Sequence, residues 1–110
     1  MVNKRVFSHY TKDAALLLGQ LIKAGRFEKK MTAKDLASRA GISRGTIQKI
    51  EQGHLSCELG LVFEVAMIVG VRLFETNKTS ISHLLDITTN KITLLPQRVR
   101  HTHEDLDDNF

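Results

Sequence analysis

The stretch GISRGTIQKIEQG, residues 41–53, decides how this chain is read. Three isoleucines stand among ten polar, charged or glycine positions, with a basic residue near each end. If a helix runs over residues 43–52, Ile47 and Ile50 fall on one face, and Arg44, Thr46, Gln48 and Lys49 spread over the others. A helix that only filled a core would be more apolar. The pattern points instead to side chains offered to something outside the protein.

The preceding residues extend the pattern. TAKDLASRA predicts a second helix over residues 32–39, with Leu36 and Ala37 inward. Gly41 suits the left-handed stop of that helix, and Ser43 caps the next. A connection this short forces a sharp turn, so two helices joined by it cross steeply and need a small residue at the crossing. Ala37 meets that need. Ile42 fills the hollow under the turn, while Ile47 and Ile50 hold the later helix against Leu36. A helix of this size fits the major groove of B-DNA, and its N-terminal end favours phosphate.

Around this pair, residues 1–10 lack a sustained period and read as an arm. A first helix is predicted over residues 11–26, capped by Thr11, from the recurrence of Ala14, Leu17, Leu18, Leu21 and Ile22. A fourth helix covers residues 58–69 and is apolar on nearly every side. Leu59, Val62, Ala66 and Val69 are expected to face the core, leaving Phe63, Met67 and Ile68 to a second partner, either the C-terminal helix or another copy of the chain. Residues 71–75 read as a short strand or the start of a turn. A fifth helix fits residues 80–95, although Thr88, Thr89 and Asn90 could break it, and Pro96 ends it. Residues 97–110 turn from basic to acidic and suit a mobile tail or a segment that orders on binding. The expected organisation is an arm (1–10), a helix-turn-helix domain (11–75), a C-terminal helix for dimer or partner contact (76–96) and the tail (97–110).

Composition narrows the function classes. A chain of 110 residues that is 42% hydrophobic suits one small core. There is no apolar run long enough for a membrane span and no secretory leader, so a cytoplasmic protein is expected. Cys57 is the sole cysteine, which rules out an internal disulfide and zinc-finger spacings. Charge is divided unevenly. Residues 1–52 hold 11 Lys/Arg against 4 Asp/Glu, and residues 53–110 hold 5 against 8, so the positive field belongs to the first half and suits a polyanion.

From about residue 11 to residue 71, and above all through MTAKDLASRAGISRGTIQKIEQG and the apolar helix after it, the chain resembles the lambda-repressor and Cro-like (Xre) class of helix-turn-helix regulators. The resemblance implies an all-α bundle of about five helices in which the helix after Ser43 is the recognition helix. It implies that Arg44 and Lys49 face base edges, that Thr46 and Gln48 contact bases or backbone, and that Thr32, Lys34, Ser43, His54 and Ser56 meet phosphate. It also implies an internal ion pair between Arg26 and Glu51. Many relatives carry glutamine where this chain has Ala33, which removes one familiar contact. The class usually binds as symmetric dimers, and the surplus apolar residues Phe63, Met67, Phe74, Leu84 and Leu85 are the expected dimer or partner contact.

VGVRLFE, LLPQRVR and HEDLDDNF resemble the C-terminal pattern of HipB-like antitoxins, regulators that repress their own operon and work with a HipA-like serine/threonine kinase. That likeness implies a kinase partner, with Leu106 and Phe110 as anchors in the tail. The alternatives are an adaptor whose main task is to hold such a kinase, and a stand-alone phage-type repressor. His101 and His103 beside Glu104, Asp105, Asp107 and Asp108 lack a scaffold to fix metal geometry, so no metal site and no cofactor are expected. No phosphate loop, activated nucleophile or paired carboxylate appears, and an enzyme is the least expected class.

Overall fold

The computed structural model describes residues 5–74 and 79–98. These hold five helices, α1 (His9–Glu28), α2 (Ala33–Ala40), α3 (Arg44–Glu51), α4 (Leu59–Ile68) and α5 (Ile81–Leu94), and among the described residues there is no strand. The all-α architecture expected from the sequence is therefore present. The chain divides into two compact units, Met1–Arg72 with α1 to α4 and Leu73–Phe110 with α5.

In the first unit α3 packs against both α1 and α2, and α2 also packs against α4. Each of the four helices supplies one wholly buried aliphatic side chain: Ile22, Leu36, Ile47 and Val65. Met31, Ala37, Ile50, Ala66 and Val69 complete the core. Burying such side chains contributes about 1.5–3 kcal/mol each, which is how two helices of only eight residues persist.

The face that α1 turns inward differs from the expected one. Leu17 and Leu21 remain 57% and 46% exposed, and the buried residues are Gly19, Ile22, Gly25 and Arg26. Close backbone approach outweighs side-chain bulk here. A Cβ on Gly19 would lie 2.5 Å from the Glu51 carbonyl oxygen and 2.6 Å from that of Ile50, and one on Gly25 would lie 2.8 Å from the Val69 carbonyl oxygen. Leucines cannot occupy a seam that tight. On α4 the buried residues are Val65, Ala66 and the capping Val69, whereas Leu59, expected inside, is exposed.

Helix ends follow from local hydrogen bonding. α1 starts earlier than expected because Ser8, not Thr11, is its cap: the Ser8 hydroxyl accepts the Thr11 N–H at 3.2 Å. Thr32 and Asp35 form a reciprocal capping box on α2, each side chain accepting the other's backbone N–H at 3.0 Å. The Thr32 N–H bond, then the Thr32 hydroxyl, hold the Asp35 carboxyl below the ordinary carboxylate range. Its contribution to stability is thus complete above the unfolded-state range near pH ~4 and fades as pH falls below it.

One C-terminal motif recurs four times. Past α2 the Ile42 N–H reaches the Ala37 carbonyl, past α3 the His54 N–H reaches that of Lys49, and past α4 the Val71 N–H reaches that of Ala66, with Gly41, Gly53 and Gly70 at φ 71°, 79° and 83°. Past α1 the Met31 N–H reaches the Arg26 carbonyl, but the left-handed position holds Lys30 at φ 56°. The motif after α4 also explains why residues 71–74 are not a strand: the Val71 amide is already taken at 2.8 Å. Glu75 lies outside the described residues.

Arg26 and Glu51 bind α1 to the end of α3. The Arg26 Nε donates to Glu51 Oε2 at 2.7 Å and its second nitrogen to Oε1 at 3.0 Å, while the remaining nitrogen donates to the Met31 carbonyl at 3.1 Å. Both side chains are about nine-tenths buried. The hydrogen bond to Glu51 raises the already high pKa of Arg26, so the cation persists at any pH the fold survives.

In the second unit α5 is unbroken through Thr88 and Thr89. Ser80 caps it by accepting the His83 N–H at 3.2 Å, and the Thr88 and Thr93 hydroxyls donate to the Leu84 and Thr89 carbonyls at 2.8 and 3.0 Å, one turn back. The fifth helix expected from the sequence is thus present without a break, and these hydroxyls are satisfied within it.

Two stability changes follow, each readable by urea unfolding. Arg26→Ala or Glu51→Ala alone should cost about 3–5 kcal/mol by stranding a buried charge, whereas Arg26→Met with Glu51→Leu should lie close to the parent chain. Additive losses in the double variant would show that the pair does not act as a unit. Lys30→Gly should raise stability by about 0.5–1 kcal/mol by relieving the left-handed backbone, and a loss would mean the Lys30 side chain stabilises the turn.

Candidate nucleic-acid interface

The inner side of α3 is fixed by Ile47 and Ile50, both buried, and its last turn by Glu51. Its outer side carries Arg44, Gln48 and Lys49, all exposed. Arg44 and Gln48 stand one turn apart, as do Gly45 and Lys49, so the two pairs form adjacent rows along the helix. A Cβ at Gly45 would meet only the Ser43 hydroxyl, at 3.8 Å, so this position is a gap in the rows through which backbone is approachable.

Thr46 is placed differently. It is half-buried, its N–H donates to the Ser43 hydroxyl at 3.1 Å, and the two hydroxyls are 2.9 Å apart in a shared hydrogen bond. Both side chains are thereby engaged in capping α3. The three arginine, glutamine and lysine side chains are the longer groups left to reach outward, and they are donors suited to guanine, adenine and phosphate oxygens.

The other sequence-derived positions surround this face at helix starts and turns. Thr32 and Lys34 are exposed at the start of α2, Ser43 is exposed at the start of α3, and His54 and Ser56 are exposed in the turn after it. Thr32 is committed to the capping box, while Lys34 carries the free charge of that helix end. Sequence reasoning missed Arg5, Phe7 and Lys12, which line a shallow groove together with His54, Leu55 and Ser56. Reading residues 1–10 as an arm and starting α1 at Thr11 separated groups that the fold brings together. The signal was the serine at position 8, a better cap than Thr11.

Among the proposed contact residues, Phe63 and Met67 lie on α4 and are 39% and 62% exposed. Phe74 and Leu85 are exposed and Leu84 half-buried in the second unit. Leu106 and Phe110 lie outside the described residues, as do His101 and His103. Cys57 is a half-buried free thiol. Among the described residues, no group of His, Cys, Asp and Glu is arranged to hold a metal ion, and no helix is long and apolar enough to cross a membrane.

Comparisons with known proteins return helix-turn-helix matches. An uncharacterized HTH-type transcriptional regulator of Methanocaldococcus jannaschii is 42% identical over 43 residues, which cover 39% of this chain and 65% of that protein's length. No solved structure matches the chain. Residues 22–75 match the helix-turn-helix family model HTH_3, and the packing of α2 and α3 within them gives this chain an all-α helix-turn-helix fold.

Proposed function

We propose that the chain is a sequence-specific DNA-binding repressor that acts as a homodimer, with Arg44, Gln48 and Lys49 reading base edges and Thr46 set at the margin of that surface. The observation that carries the reading is the division of α3: an inner side locked by Ile47, Ile50 and the Arg26–Glu51 pair, and an outer side that is wholly polar and exposed. A surface so held loses little freedom on docking, and its donors match the major groove. Lys34, His54 and Ser56 sit where flanking phosphates would pass, with Thr32 and Ser43 at the helix starts between them. The relative's name, that of an HTH-type transcriptional regulator, supports the same class.

One such module has few base contacts, each contributing roughly 1–3 kcal/mol of discrimination, so a second copy reading a second half-site is part of the proposal. Phe63 and Met67 of the first unit and, separately, Phe74, Leu84 and Leu85 of the second are the apolar residues offered to that copy. We further assign the chain to an antitoxin role beside a HipA-like kinase, on the strength of VGVRLFE, LLPQRVR and HEDLDDNF. The acidic end of the tail suits a basic partner surface.

These roles separate under mutation. With an operator selected from a random-sequence pool, Arg44→Ala with Lys49→Ala should lower affinity at least tenfold on the operator and much less on an unrelated duplex, since base-edge contacts carry sequence information and phosphate contacts do not. Undiminished operator affinity would remove α3 as the reading surface. Deleting residues 97–110 should leave operator binding intact and abolish co-purification of a co-expressed kinase, whereas retention of the kinase would remove the tail as its anchor.

A further inference from the structure

We propose that the groove between the N-terminal end of α1 and the turn after α3 is a phosphate clamp, in which Arg5 and Lys12 grip the DNA backbone outside the bases read by α3. The inference rests on the DNA-binding reading and extends the contact surface to a segment that the helix-turn-helix itself does not include.

The groove measures about 510 Å³ and is lined by Arg5, Phe7, Lys12, His54, Leu55 and Ser56. Two permanent cations, an imidazole and a hydroxyl converge there, and none of the six is a carboxylate. Asp13 and Glu58, the nearest acids in sequence, are not part of the lining. The end of α1 adds to the field, because its first turn holds no acidic residue to offset the positive end of a 20-residue helix. Arg5 is also positioned: its guanidinium carbon lies 5.6 Å from the centre of the Phe7 ring, within reach of cation–π attraction.

The two lips of the groove are fastened to each other. A Cβ on Gly53 would lie 2.8 Å from Leu16 Cα and 2.9 Å from the Leu16 nitrogen, so the turn after α3 rests directly on the α1 backbone. A gap with such a base has fixed width, which suits a bound group of defined size.

Continuity with α3 selects the ligand. The His54 N–H is bonded to the Lys49 carbonyl at 3.0 Å, so the groove begins immediately past the turn of α3 that presents Lys49. A polyanion lying along the outer side of α3 would continue past Lys49 to His54, Ser56, Lys12 and Arg5. Phe7 and Leu55 supply apolar surface that a deoxyribose can cover. A free inorganic anion would make no use of that path.

The test uses the full-length chain and two labelled 30-base-pair duplexes, the selected operator and a random sequence, read by fluorescence anisotropy from about 25 to 150 mM NaCl. Arg5→Ala with Lys12→Ala should weaken binding about tenfold near 50 mM and reduce the salt slope by about 0.9–1.8, the value for one or two phosphates. The loss should be the same on two unrelated duplexes, since a backbone contact carries no sequence information. Unchanged affinity and slope in this variant, with Arg44→Ala and Lys49→Ala still weakened, would overturn the clamp and leave the DNA-binding reading standing. No weakening in either variant would overturn both. Amide shifts of His54 and Ser56 that saturate with a few millimolar inorganic phosphate alone would mark a free-anion site and overturn the backbone assignment. A thermal melt of the groove variant within about 2 °C of the parent excludes unfolding as the cause.

Discussion

The structure depends on a distance of closest approach, that between α1 and the end of α3. Gly19 sets it sterically and the Arg26–Glu51 pair sets it electrostatically, about two turns further along α1. The two are a single constraint. A side chain at position 19 would press on the carbonyls of Ile50 and Glu51, lifting α3 and drawing the Glu51 carboxylate away from a guanidinium that has little other compensation for its burial. Buried ion pairs contribute little net stability compared with apolar residues of equal volume, but they tolerate almost no change of register. What this pair supplies is position. Because Arg26 also donates to Met31, the same cation fixes the turn that leads into α2, and thus the angle from which α2 supports α3.

What was legible in the sequence is what is decided locally. The ends of α2 and α3 follow from Thr32, Gly41, Ser43 and the residues they bond to within four positions, so short-range chemistry determined them. Leu36, Ala37, Ile47 and Ile50 were legible as core for the same reason, since a two-helix corner leaves few inward positions. The inner face of α1 was not. Periodicity weighs apolar bulk, and it favoured Leu17 and Leu21 over a face made of Gly19, Ile22, Gly25 and a charged residue, whose merit lies in letting another backbone come near. The same bias placed Leu59 inside α4 and overlooked Val65. In α5 the low propensity of Thr88 and Thr89 did not interrupt a helix that Ser80 caps and that runs to Leu94. Of the candidate site, the exposed residues of α3 were legible because they are contiguous, while Arg5 and Lys12 were not, because only the contact between Gly53 and Leu16 brings them beside His54.

The proposed recognition surface also carries a compromise within α3. An eight-residue helix is too short to persist alone, and the outer half of this one carries exposed polar side chains that add nothing to the core. Its stability comes from two buried isoleucines, a serine cap and a glycine turn. Thr46 shows the limit of that arrangement: its hydroxyl faces the cap, so each gain in helix order near Ser43 removes a group from the outward face. The chain keeps its longest donors, Arg44, Gln48 and Lys49, clear of the capping network.

The same reasoning bears on α5. It has 14 residues and no buried side chain, yet Ile81, Leu85, Ile92 and Leu95 recur at steps of four, seven and three along one stripe. A solitary helix of that length is marginal in water, and a serine cap stabilises it by only about 1 kcal/mol. Threonine hydroxyls that bond back to the helix carbonyls offset little of the remainder. The stripe is therefore economical only if something covers it for part of the chain's working life. In the homodimer proposed above, that cover would be a second copy, which brings a second HTH module with it. Joining them converts the second half-site contact into an intramolecular step, raising overall affinity by orders of magnitude with no new base contact. In the proposed homodimer, weak individual modules joined in this way would give a binder that is selective when paired and readily released when apart.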